Sequence, residues 1–145
     1  MAFTSLLKIR FDDVDGAGIV YYPHFFHLCH NAFEDFFDDA ASVSYPQLIK
    51  EYRRGFPTVA ITSEFTGPLR YGDIALVKLT IGKLGTSSAT FCYEIRRKQD
   101  SKLCFKAQIT KVFVNLEDYT SLPIPEDIRA LLENILRPDL GPPHP

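Results

Sequence analysis

Apolar and polar positions change period several times along the 145-residue chain, and each change marks an element. Over Leu6 to Phe11, Leu7, Ile9 and Phe11 alternate with Lys8 and Arg10, the period of a strand with one buried face. From Pro23 to Asp38 the period lengthens. At steps of roughly 100° per residue, Phe25, Phe26, Leu28, Cys29, Ala32, Phe33, Phe36 and Phe37 fill one half of a helical circle. His24, His27, Asn31, Glu34, Asp35 and Asp38 fill the other half, with His30 at the boundary. So broad an apolar arc predicts a helix laid across a sheet rather than a coiled-coil seam. Pro23 suits the first helical turn, where its missing N–H costs nothing.

Beyond the helix the pattern predicts a connector over Ala40 to Gly55 that contains a short helix within Tyr45 to Arg54, stopped by Gly55. Strand-like stretches then follow one another. Phe56 to Phe65 puts Val59, Ile61 and Phe65 on one face, and Ile74 to Leu84 comes after the Gly67-Pro68 and Tyr71-Gly72-Asp73 turn signals. Ser88 to Arg97 carries Phe91, Tyr93 and Ile95 on one side. Lys102 to Asn115 aligns Leu103, Phe105, Ala107 and Ile109, then slips near Lys111, as a bulge or burial of both faces would require. Pro125 to Leu136 reads as a short helix with acids in its first turn. Residues 1–136 therefore form one domain, and 137–145 a Pro-rich tail, extended or disordered. A strand, a long helix and four strands in meander order make an α+β architecture with an antiparallel sheet of about five strands. Sheet edges this long need a cover, and a dimer that continues the sheet supplies one.

Composition narrows the function. A net charge of −2 and no strand pairing aromatic with basic residues give nucleic acid no footing. Lys8 and Arg10 break the first apolar run, so it is no signal peptide, and no later run is long enough to insert into a membrane. A cytoplasmic location is expected. Cys29, Cys92 and Cys104 are far apart and read as small buried residues in a reducing compartment. His24, His27, His30 and Glu34 step along one helix side, but a solvated or interface-facing side explains them better than zinc, so metal ligands are not expected.

The chemistry concentrates in Asp12-Asp13-Val14-Asp15-Gly16-Ala17-Gly18-Ile19-Val20-Tyr21-Tyr22-Pro23. Carboxylates and glycines lead straight into a helix start, whose unpaired N–H groups and partial positive charge attract an oxygen that becomes anionic during a reaction. A carboxylate held beside it supplies a nucleophile or a base. On the residues alone, Asp15 could equally cap the turn.

With Phe11 in front, this run resembles the signature of the 4-hydroxybenzoyl-CoA thioesterase group of the hotdog fold, which includes the acyl-CoA thioesterases linked to the Tol-Pal system. The order of elements agrees from about Leu6 to Asn115, and Phe65 followed by Arg70-Tyr71-Gly72-Asp73 agrees too. The resemblance implies hydrolysis of an acyl-CoA thioester without a cofactor, in a homodimer or homotetramer whose active site lies between chains. It implies Asp15 as the catalytic carboxylate, the Tyr22 backbone N–H as the oxyanion hole and Gly18 in the pocket. A thiol leaves with a pKa of roughly 8.5, so one carboxylate and an oxyanion hole suffice, with Asp15 attacking the carbonyl or activating water.

Two departures stand out. The family often has an acid two turns into the helix, facing the acyl group, where this chain has His30. Some members hold the CoA phosphates with several cations at a strand turn, and here Lys83, Ser87 and Ser88, with Arg70 elsewhere, are what the sequence offers. An acyl carrier protein substrate and a non-catalytic acyl-CoA-binding or scaffold role are the alternatives. A dehydratase of the same fold needs a His and carboxylate pattern that the chain lacks.

Overall fold

The structure, a computed structural model, describes residues 1–137. A five-stranded antiparallel sheet in the order β1-β4-β5-β6-β3 carries helix α1 (His24–Ala40) on one face. The strands are β1 (Phe3–Lys8), β3 (Thr58–Phe65), β4 (Ile74–Leu84), β5 (Ser88–Arg97) and β6 (Leu103–Val112). A separate two-stranded ribbon pairs β2 (Arg54–Gly55) with β7 (Val114–Asn115), and the described residues also include the helices α2 (Tyr45–Lys50) and α3 (Glu126–Asn134). This is the expected α+β class.

The apolar half of α1 seals the sheet. Phe25, Leu28, Cys29, Ala32, Phe33, Phe36 and Phe37 are buried. Phe33 sits at the centre, with ring centroids 5.2 Å from Phe91, 5.0 Å from Tyr45 and 5.1 Å from Phe37. The helix starts one residue after Pro23 and runs two beyond Asp38.

Four expectations need correction. The first strand covers Phe3–Lys8 rather than Leu6 to Phe11, because the Asp13 carboxylate accepts the Arg10 N–H at 2.8 Å and folds Phe11–Asp13 into a 3-10 turn. The short helix expected within Tyr45 to Arg54 is present over Tyr45–Lys50, but Gly55 does not stop it: Arg54 and Gly55 pair with Asn115 and Val114. The last long strand breaks at Phe113. Its slip near Lys111 faces a bulge on the neighbouring strand, where Thr58 pairs with Lys111 but Ala60 with Thr110.

The fourth correction matters most. Only β4, β5 and β6 form a meander. β3 lies at the far edge beside β6. Moving from β3 to β4 crosses three strand spacings, roughly 14 Å. The eight residues Thr66 to Asp73 reach about 26 Å when extended, so a short connection permits the crossing. That segment is anchored beneath the helix start: Leu69 is fully buried and its carbonyl accepts the Val20 N–H at 2.8 Å. As an edge, all of β3 is exposed, including the apolar Val59 (60 %), Ile61 (47 %) and Phe65 (49 %).

No helix among the described residues is long and apolar enough to cross a membrane. Except for Arg137, whose N–H bonds the Ile81 carbonyl, the proposed tail lies outside the described residues.

Candidate active site

Short-range hydrogen bonds shape the Asp15 loop. The Gly18 N–H donates to the Asp15 carbonyl at 2.9 Å, the Asp15 N–H donates to the Ile19 carbonyl at 3.0 Å, and Val14 bridges Val20. Closing so tight a loop requires φ +79° at Gly18, a left-handed conformation that a side chain disfavours. A Cβ there would meet no atom within 4 Å, so the glycine is needed for its backbone, not for space. The Asp15 side chain is exposed, and its Oδ1 accepts the Ala17 N–H at 2.9 Å. Asp13 differs: it is buried, capping the Arg10 N–H and lying 3.3 Å from His24 Nδ1. Of the three acids, Asp12 and Asp15 are open to solvent.

The loop ends at the first turn of α1, where most donors are taken. The Tyr21 N–H bonds the Asp13 carbonyl at 3.0 Å, His24 bonds Tyr21 at 2.8 Å, and Phe25 bonds Tyr22 at 3.2 Å. Pro23 has no N–H. The Tyr22 N–H has no backbone acceptor among the described residues. It is a free donor at the positive end of a 17-residue helix, beside the Asp15 loop. Aromatic rings line its flank. Phe65 lies 6.1 Å from Tyr22, 5.8 Å from Phe25 and 5.0 Å from Phe105.

The other expected residues scatter. His30 is exposed on α1, with its Nε2 2.8 Å from Glu34 Oε2 and its ring stacked on Phe33 at 5.8 Å. Arg70 bridges Ile19 and so flanks the Asp15 loop. Lys83, Ser87 and Ser88 lie at the other end of the eleven-residue β4, roughly 33 Å along the strand. One protomer therefore does not bring Arg70 and the Lys83 turn together. A cation that sequence reading missed joins that turn: Arg129 Nη2 of α3 donates to the carbonyls of Gly85 and Thr86, the latter at 3.0 Å. Its position as the fourth residue of a helix some forty residues away gave no local signal. Lys111, noticed in the sequence only for a broken pattern, is a buried cation. Burial pulls its pKa below the usual lysine range. His24 pairs with Asp13 and His30 with Glu34, and the described residues contain no group of three or more His, Cys, Asp and Glu arranged to hold a metal ion.

A family profile described as the thioesterase-like superfamily matches residues 9–132. A 1,4-dihydroxy-2-naphthoyl-CoA hydrolase of Synechocystis is 32% identical over 126 residues, spanning 86% of this chain and 89% of the relative. The crystal structure of a 1,4-dihydroxy-2-naphthoyl-CoA thioesterase from Synechocystis superposes with a TM-score of 0.85 at 27% identity, covering 93% of this chain and 98% of the other. A 4-hydroxybenzoyl CoA thioesterase crystallised with 4-hydroxybenzoyl CoA has the same fold, with a TM-score of 0.81 at 23% identity over 90% and 98% of the two chains.

Proposed function

The chain belongs to the thioesterase-like superfamily, and from that premise we propose that it hydrolyses an aromatic acyl-CoA thioester to the free acid and CoA, with Asp15 as the catalytic carboxylate. The observation that carries this reading is the free Tyr22 N–H at the start of α1, directly after the Asp15 loop. The thioester carbonyl oxygen accepts that N–H and gains negative charge in the field of the helix. Asp15 either attacks the carbonyl carbon, forming an anhydride that water then cleaves, or removes a proton from an attacking water. In both routes the C–S bond breaks and CoA leaves as thiolate, so no strong general acid is needed.

An aromatic acyl group fits the ring-lined flank formed by Phe65, Phe25 and Phe105 next to Tyr22. The names of the relatives, which act on 1,4-dihydroxy-2-naphthoyl-CoA, support both the aromatic acyl group and CoA as the carrier. The site is completed in a homodimer through the unpaired β3 edge. That pairing carries the Lys83, Ser87, Ser88 and Arg129 turn of one protomer toward the Asp15 and Arg70 end of the other, where the CoA phosphates would lie. His30 borders the acyl group, and Gly18 keeps the loop closed beneath it.

Thiol release measured over a panel of aromatic and aliphatic acyl-CoA esters tests the reading. The expected result is turnover of aromatic esters in wild type and its collapse in Asp15→Asn. Release that survives in that variant would remove Asp15 from the mechanism, and absence of release from any ester would overturn the CoA thioesterase assignment.

A further inference from the structure

Lys111 is a lysine in the wrong place for a surface charge. It lies on β6, opposite Thr58 on one side and Ala89 on the other, and only 7 % of its surface is exposed. Its ammonium stands 4.8 Å from the centre of the Phe33 ring, and donates to the Thr58 hydroxyl at 3.0 Å and more loosely to the Phe56 carbonyl at 3.4 Å. No ion pair joins it to a carboxylate among the described residues. The titratable group nearest to it in effect is Cys29 on α1, itself held protonated by burial. A buried ammonium without a counter-charge is costly unless an acceptor arrives to share it.

The edge of the sheet indicates where that acceptor comes from. Thr58, which takes the ammonium's shorter hydrogen bond, begins the exposed strand β3, and Phe65 ends it. When two copies pair antiparallel along this strand, the two-fold axis passes through one residue near its middle, Ile61 or Thr62, because opposed side chains share a face. The Thr58 end of one protomer then lies beside the Phe65 end of the other. Phe65 is the ring against Tyr22, whose N–H is the candidate oxyanion donor. The buried ammonium thus lies one hydrogen bond from the strand end that would face the other protomer's acyl group.

Resting on the thioesterase reading, we propose that Lys111 of each protomer is a specificity-determining residue for the active site of its partner, donating a hydrogen bond to an oxygen on the ring of the acyl group. The hydroxyl of a hydroxyaryl ester, or its phenolate, supplies the missing acceptor. An unsubstituted ring leaves the ammonium with only Thr58 and Phe56 as acceptors and is the poorer substrate.

The test compares 1-hydroxy-2-naphthoyl-CoA with 2-naphthoyl-CoA in wild type, Lys111→Met and Lys111→Arg. Wild type is expected to prefer the hydroxylated ester. Lys111→Met should lower the ratio of the two kcat/KM values about tenfold, as loss of one charge-assisted hydrogen bond implies, and Lys111→Arg should restore most of it. Equal losses on both esters would mean that Lys111 only ties β6 to β3 and would overturn the proposal, as would an unchanged ratio. If wild type releases thiol from neither ester, the thioesterase reading fails and this one with it. Mixed dimers of Asp15→Asn and Lys111→Met protomers test the geometry. Action across the interface leaves one intact site, so the mixture keeps wild-type preference at about half the activity of the wild-type dimer. Action within one chain would instead leave only sites that lack Lys111, and the preference would be lost.

Discussion

At the scale of single residues, Asp15 and Asp13 show how one turn sets two carboxylates to different tasks. Asp13 is buried and spends its oxygens on the Arg10 N–H and His24, whereas Asp15 stays exposed with one oxygen on the Ala17 N–H. Asp15→Asn keeps the shape of the loop and removes the charge on which the proposed mechanism depends. Steady-state kinetics should therefore show kcat lowered by about 10²–10⁴ with KM little changed, and circular dichroism should show the fold intact. The cysteines give a pH prediction. Burial raises the Cys29 thiol far above its ordinary range, with nearby Lys111 opposing the shift, and burial raises Tyr93 as well. Both groups stay protonated in the folded chain while the unfolded chain begins to ionise at about pH 8.5. Their contribution is complete below that pH and is lost as pH rises through the alkaline range. The urea midpoint should fall between pH 8 and 10. Lys111, lowered by burial, acts with the opposite sign, so the fall should be steeper in Lys111→Met. Iodoacetamide should leave the fully buried Cys29 and Cys104 unmodified until the protein is denatured.

At the scale of elements, α1 is both the lid of the core and the scaffold of the candidate site. Its apolar half was legible because a 3.6-residue period over seventeen positions leaves little ambiguity. Its first turn was legible as well, since a proline and a glycine-rich loop mark a helix start. Phe33 fixes the helix on the sheet through Phe37, Tyr45, Phe56 and Phe91. Phe33→Ala should cost about 3–5 kcal/mol in urea unfolding, because the hole it leaves is bounded by rings on a helix, a strand and a connector that cannot all close in. The same change removes the ring beneath His30 and beside Lys111, so any activity that survives should have altered acyl preference. Element boundaries in the connectors were not legible. The short pairing of Arg54 and Gly55 with Asn115 and Val114 joins residues about sixty positions apart, and no local pattern encodes such a partner.

At the scale of the molecule, β3 dominates. An eight-residue strand exposed along its whole length, with Val59, Ile61 and Phe65 open to solvent, is an edge that invites pairing. Ile61→Lys adds charge to that edge without entering the packed core of the protomer. By analytical ultracentrifugation it should yield monomer, and thiol release should fall at least about tenfold, since the Lys83 turn and the Asp15 loop sit at opposite ends of one chain. A variant that remains a dimer with full activity would place the interface elsewhere. The expectation of a four-strand meander failed at this scale. Thr66 to Asp73 is short enough to suggest a hairpin, yet long enough to cross the sheet, and burial of Leu69 under the helix start decides for the crossing.

The sequence by itself determined the α+β class, the long helix, the spans of β4 and β5, and the loop that carries Asp15, because each is written in short-range periodicity or in turn chemistry. Only the tertiary structure decided the strand order, the exposed edge, the separation of Arg70 from the Lys83 turn, the arrival of Arg129 at that turn and the burial of Lys111. These depend on which distant segments meet, and that is fixed by packing the whole apolar surface at once rather than by any stretch of residues alone.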